Sequence, residues 1–271
     1  MIKTSISNIA WNIEDDTAVL HILKQYHMYG IEVAPTKIWD APLSATREQA
    51  IAYREKWSAA GIELVAMQSL LFGQSGLVLF QDSLAREKLK SYLFKMIEIA
   101  ENLGTKILVF GSPKNRLVGN LSWEEQLEIA VPFFEQLGKK AAEHQVLFCI
   151  EPNAKEYGCD FVTNTDEAIA VIEAVNHPGF KLHLDAAVMT LNNENYQHCL
   201  EKSAQHLAHF HVSEPFLELI GSRDTNHAAI ADALRNIDYA GWISIEMKNC
   251  LLDSDVTSVQ KAIEFVTQIY K

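Results

Sequence analysis

The sequence has no Cys-x-x-Cys pair, no apolar run of about 18 residues, no excess of basic residues and no glycine in its first strand-to-helix turn. Each absence narrows the reading. The four cysteines, Cys149, Cys159, Cys199 and Cys250, lie far apart, and Cys149 sits inside an apolar run. They read as reduced thiols of a cytoplasmic protein, not as a disulfide framework or a zinc knuckle. Nothing is long and apolar enough to span a membrane. The opening MIKTSISNIAW lacks the charged segment and long apolar stretch of a secretory signal. With 35 acidic and 23 basic residues the net charge is −12, which gives a nucleic-acid backbone no bulk attraction. No proline- or glycine-rich linker divides the 271 residues, so one domain over 1–271 is expected. At 48% hydrophobic content it can build a sizeable core.

What is present is a repeat of short β-leaning runs. They cover residues 2–11, 30–39, 62–71, 105–113, 146–153, 180–187, 207–215 and 242–248. Between them lie segments with helical periodicity. Residues 83–104 place Leu84, Leu89, Leu93, Met96, Ile97 and Ile99 on one stripe and stop at Gly104. Residues 121–145 open with Ser122 followed three residues later by Glu125, a capping-box pattern, with Pro132 inside the run. Eight strand-plus-helix units of about 34 residues each predict a parallel (β/α)8 TIM barrel. The competing doubly wound sheet normally announces itself with a glycine-rich first turn. Here that turn reads NIAWNIEDD.

Side chains alternate along a strand, so sequence parity assigns faces. In VLFCIE, Cys149 and Glu151 oppose Phe148 and Ile150. In FKLHLD, His183 and Asp185 oppose Leu182 and Leu184. In LAHFHV, His209 and His211 oppose Phe210 and Val212, and in WISIEM, Ser244 and Glu246 oppose Ile245 and Met247. The aliphatic face must pack on helices, so the polar face points into the barrel. Four strands therefore carry Glu151, Asp185, His211 and Glu246 toward their C-terminal ends, where barrel enzymes build their sites. Three converging acids repel one another unless a cation joins them. Three carboxylates and an imidazole suit one divalent metal, Mn²⁺ or Mg²⁺ by hardness, with Co²⁺ or Zn²⁺ as alternatives.

The same stretches, CIEPN, LHLDAAVM, HFHVSEP and ISIEM, resemble in order and spacing the sugar phosphate isomerase/epimerase superfamily. That is the xylose-isomerase-like TIM barrel group, and the D-tagatose 3-epimerase-like ketose epimerases are the nearest in look. The resemblance implies that Glu151, Asp185, His211 and Glu246 hold the metal. It also implies that Glu151 and Glu246 are the two acid/base carboxylates of an enediolate mechanism. The implied partner is a small-molecule sugar, and a homo-oligomer is compatible with it. Two positions depart from the ketose epimerase pattern: Val188 stands for a histidine and Leu217 for an arginine. Both losses fall on residues that contact substrate in that group.

Other polar residues near strand ends are candidate substrate contacts. Lys114 and Arg116, in FGSPKNR after strand four, are placed to bind an anionic substrate end. Gln68, Glu156, Glu214, Arg223, His227 and Lys248 are further candidates. His183 is read either as a core histidine or as a substrate contact, and His209 as core. Trp11 and Trp39 end the first two strands as pocket wall or core. The functions weighed are a metal-dependent sugar isomerase or epimerase and, on the same metal site, an inosose-dehydratase-like lyase. From other classes come an apurinic endonuclease, which needs three zinc ions and more histidines, and a non-catalytic sugar-binding barrel.

Overall fold

The computed structural model describes residues 2–271. Eight parallel strands close in sequence order: β1 Lys3–Ser7, β2 Gly30–Val33, β3 Glu63–Met67, β4 Ile107–Phe110, β5 Leu147–Ile150, β6 Phe180–Asp185, β7 Leu207–Ser213 and β8 Trp242–Glu246. β8 pairs with β1, so no strand edge is left open. All eight strands lie within the expected runs. The helices are α1 Asp16–Gln25, α2 Arg47–Ala59, α3 Ser83–Leu103, α4 Trp123–Glu143, α5 Thr165–Val175, α6 Ala186–Leu191, α7 Tyr196–Ser203, α8 His227–Asn236 and α9 Asp255–Tyr270.

Local signals place the helix ends. Ser122 and Glu125 form the reciprocal capping box of α4, and that helix continues through Pro132. Gly104 ends α3 in the left-handed region at φ 77°. The α3 stripe buries Leu89, Leu93, Met96, Ile97 and Ile99, but Leu84 is 65% exposed. It sits in the first turn of α3, where its side chain lies in solvent although it continues the apolar stripe. On α4, Phe134 stacks on Phe180 of β6 with ring centroids 4.9 Å apart. Truncating so buried a ring costs about 3–5 kcal/mol.

Inside the barrel the two ends differ. Val65, Ile107, Val109 and Cys149 form an apolar interior layer, joined by Trp242. A side chain at Gly30 would put its Cβ 2.5 Å from the Trp242 ring, so the indole occupies that space only because β2 begins with glycine. Toward the C-terminal mouth the inward residues become acids and histidines. No helix among the described residues is long and apolar enough to cross a membrane.

Candidate metal and substrate site

Glu151 directly follows β5, Asp185 and Glu246 end β6 and β8, and His211 lies two residues before the end of β7. Register explains their meeting: Asp185 pairs with His211, and Ser213 with Glu246, on adjacent strands. Each of the four offers a ligand atom, and these atoms lie within 4.8 Å of one another. His211 Nδ1 is 3.3 Å from Glu246 Oε2, 3.8 Å from Glu151 Oε1 and 4.0 Å from Asp185 Oδ2. That nitrogen is buried and has no hydrogen-bond partner.

The back of His211 is fixed by a residue that the sequence reading missed. Glu32 on β2 is fully buried, and its Oε2 lies 2.9 Å from His211 Nε2. Its other oxygen is 3.4 Å from His209 Nε2. A carboxylate behind an imidazole sets the tautomer and aims the opposite nitrogen, the usual support of a metal-bound histidine. The signal was present in GIEV, where Glu32 alternates with Ile31 and Val33 as the four tips do.

Charges in this space shift one another. Burial pushes the Glu151 carboxyl up to about 8, with the Glu246 charge adding to the effect. Burial and Glu246 likewise raise Asp185 to about 6. At His211 burial opposes the charged ring, but Glu32 and Glu246 outweigh it and hold the group well above the ordinary histidine value. At Glu32 burial is outweighed in turn by His211 and His209, and its carboxyl is held well below the ordinary range. His183, fully buried 3.5 Å from Glu151 Oε1, is kept neutral by burial and by its two histidine neighbours.

The site opens into a cavity of about 360 Å³ at the C-terminal mouth. Glu151, Asp185 and Glu246 reach it, as do Gln68, whose Nε2 donates to Ser7 Oγ, and Glu214. Glu214 Oε1 accepts from Gly221 N at 2.9 Å and lies 3.1 Å from His227 Nε2, while Oε2 is buried without a partner. A Cβ at Gly111 would come within 2.2 Å of Glu151 Oε2, so a side chain there would displace that carboxylate.

Most of the other proposed substrate contacts lie elsewhere. Lys114 is exposed and lines no part of this cavity. Arg116 does not reach the mouth either. It is fully buried, and its Nη2 donates to the Glu151 carbonyl at 2.7 Å. The 3₁₀ turn Pro113–Asn115 sends the chain inward, and no loop pattern signals that direction. Glu156 faces a different surface depression. Arg223 and Lys248 are exposed and flank Glu218, with Lys248 Nζ 2.6 Å away. His227 opens α8 and lies between Glu214 and the Tyr270 hydroxyl. His183 and His209 lie beneath the site, off the cavity surface. Trp11 is core and donates to Asp16, and Trp39 packs outside the cavity.

Val188 and Leu217, the two departures, do line the cavity, together with Ala187, Phe216 and Tyr157. Phe216 and Leu217 both have positive φ, 63° and 58°. Left-handed backbone at such side chains costs on the order of 1 kcal/mol or more each and needs support. Lys248 supplies it, donating its backbone N–H to the Leu217 carbonyl at 2.9 Å. Tyr157 accepts from Phe216 N at 3.2 Å and meets its ring edge-on.

A closed (β/α)8 barrel with three carboxylates and one carboxylate-backed imidazole at its mouth defines the general class. The chain belongs to the xylose isomerase-like TIM barrel family, whose model matches residues 20–269. A relative from Synechocystis sp., described as a probable ketose 3-epimerase, is 27% identical over 92% of this chain and 85% of its own. A D-psicose 3-epimerase structure from Clostridium cellulolyticum H10 superimposes over 100% of both chains with a TM-score of 0.80 at 15% identity. An L-ribulose 3-epimerase structure does so with a TM-score of 0.81 over 100% of this chain and 95% of its own, also at 15% identity. At these identities the structural likeness speaks for the fold.

Proposed function

We propose that this protein is a divalent-metal-dependent epimerase of an open-chain ketose or ketose derivative, with Glu151 and Glu246 as its acid/base pair. The observation that carries the reading is the orphaned, buried His211 Nδ1 facing three carboxylates. A divalent cation fits that donor set. It would neutralise the acids whose crowding raises Glu151 and Asp185, and take up the imidazole nitrogen that Glu32 leaves free. Mn²⁺ and Mg²⁺ suit the oxygen-rich set best. When bound, such an ion would polarise a sugar carbonyl and its neighbouring hydroxyl and acidify the carbon-bound proton beside them.

The chain's own residues then divide the work. Asp185 is held by two donors, Val188 N at 2.8 Å and Ser213 Oγ, so it is a fixed ligand and not a proton carrier. Glu151 and Glu246 end strands that are not neighbours, and both reach the cavity. One removes the proton as a carboxylate. The other delivers a proton to the resulting enediolate from the opposite side, which inverts the carbon. Each positioned carboxylate supplies about 10²–10⁴-fold. Arg116, bonded to the Glu151 carbonyl, and Gly111, which leaves room for its carboxylate, hold the Glu151 side in place. The ketose 3-epimerase description of the Synechocystis relative supports the same reaction type. The cavity lining has no lysine, arginine or histidine, so a nucleic-acid backbone finds no counter-charge there.

The test is reaction in heavy water with Mn²⁺-loaded protein and a panel of ketoses, read by mass spectrometry and sugar analysis. One deuterium entering beside the carbonyl, with an epimeric product, is expected. Turnover without label would replace proton transfer with an internal hydride shift.

A further inference from the structure

The cavity wall departs from what an anionic sugar needs. Its lining holds four acids, Glu151, Asp185, Glu214 and Glu246, and no cation. The nearest sequence cations are spent elsewhere: Arg116 on a buried carbonyl, Lys248 and Arg223 beside Glu218, and Lys114 outside the cavity. A phosphate or carboxylate there would meet only like charge.

The lining also carries an apolar patch. Gln68, Ser69 and Asn153 follow β3 and β5, while Val188 of α6 and Phe216 and Leu217 of the turn after β7 bring three apolar residues to the cavity beside Ser213 and Glu214. The apolar side is not accidental slack. Phe216 and Leu217 occupy strained left-handed backbone, held by Lys248 and Tyr157, and that turn brings both side chains to the cavity. A hydroxyl pressed against this wall loses its water and gains no partner. A methyl or methylene group there gains burial instead.

Resting on the epimerase reading above, we infer that the substrate is uncharged and carries a carbon without hydroxyl, a deoxy or methyl terminus, which packs against Val188, Phe216 and Leu217. These three residues set specificity by excluding hydroxyls and phosphates from one end of the sugar, while Glu151 and Glu246 work at the other.

The experiment compares five probes on the Mn²⁺-loaded protein: a ketohexose, its 1-deoxy and 6-deoxy analogues, and its 1- and 6-phosphates. Deuterium exchange gives kcat/KM and calorimetry gives Kd. One deoxy analogue should exceed the parent ketose at least tenfold in kcat/KM, and both phosphates should fall at least tenfold below it. In Leu217→Asn, asparagine tolerates the left-handed backbone and offers a donor. The preference for the deoxy analogue should then drop about tenfold, with metal content unchanged. A parent ketose or a phosphate as the best probe, or an unaltered preference in the variant, overturns this inference and leaves the epimerase reading standing. Label entering none of the five overturns the epimerase reading, and this inference with it.

Discussion

On the floor of the cavity, Glu151, Asp185, His211 and Glu246 stand on or directly after paired strands, with Glu32 bonded behind the imidazole. On the rim, Phe216, Leu217 and Val188 stand on loops and on the short α6, two of them in left-handed backbone. The floor is polar, and the alternation of strand side chains dictates it. The rim is apolar where it departs from the ketose epimerase pattern, and hydrogen bonds between distant loops hold it. Strand geometry fixes what chemistry the site can do. Loop geometry fixes what the site does it to.

Removing a floor carboxylate should break this division most visibly. Glu246→Gln keeps the shape but loses one of the two proposed proton carriers, so kcat should fall about 10²–10⁴-fold. The same change relieves repulsion on Glu151 and Asp185. It also removes a partner of His211, whose charge Glu246 supports at low pH. The Tm of the metal-free variant should therefore rise relative to metal-free parent protein between pH 5 and pH 8. Loss of activity with a pH-independent Tm difference would mean that Glu246 is structural.

Glu32 tests the floor one layer down. Glu32→Gln removes the charge behind His211 while keeping its size. Metal affinity, measured by chelator competition, should weaken about 10–100-fold. An unchanged affinity would separate His211 from the metal.

The alternation that brings Glu151, Asp185, His211 and Glu246 to one face is readable because it needs only the order of residues. All eight strands and the floor quartet follow from it, and Glu32 obeys it too. Its strand is short, and the turn after it carries no second polar tip to mark it. Rim residues are different in kind. Whether Arg116 points into the mouth or under Glu151 depends on Ser112 at φ 45° and the turn after it. Whether Lys248 binds a substrate or braces Phe216–Leu217 depends on contacts about thirty residues away. Nothing periodic in the sequence encodes either.

Acidity gives a smaller effect, again confined to the floor. Without metal, Glu151 and Asp185 have folded-state values near 8 and 6, above their ordinary values. A raised carboxylate stabilises the fold below its unfolded pKa, and that contribution is lost as pH rises through the folded value. The Tm of metal-free protein should thus fall between pH 5 and pH 8, relative to Glu151→Gln, by at least about 3 °C per pKa unit lost. Saturating Mn²⁺ should abolish the difference in the parent protein, and the gain in Tm on adding metal should grow with pH. A pH-independent gap between parent and variant would show that the floor carboxylates do not interact.

The smallest effect belongs to the residue that the sequence favoured for substrate binding. Lys114 is exposed, forms no ion pair among the described residues and lines no part of the cavity. Its charge lies in solvent, where screening leaves little pull on a ligand in the mouth. Lys114→Ala should change KM for any active ketose less than about twofold, well under a charge-assisted hydrogen bond of about 1.5–3 kcal/mol. Neighbouring Arg116 sharpens the point, because Arg116→Ala should act through the floor. It takes the shorter of two donors from the Glu151 carbonyl, leaving Asn153 Nδ2 at 3.4 Å, and should lower Tm and kcat while leaving KM nearly as it was. A large KM rise in either variant would place a cation at the rim and make the cavity a site for an anionic sugar.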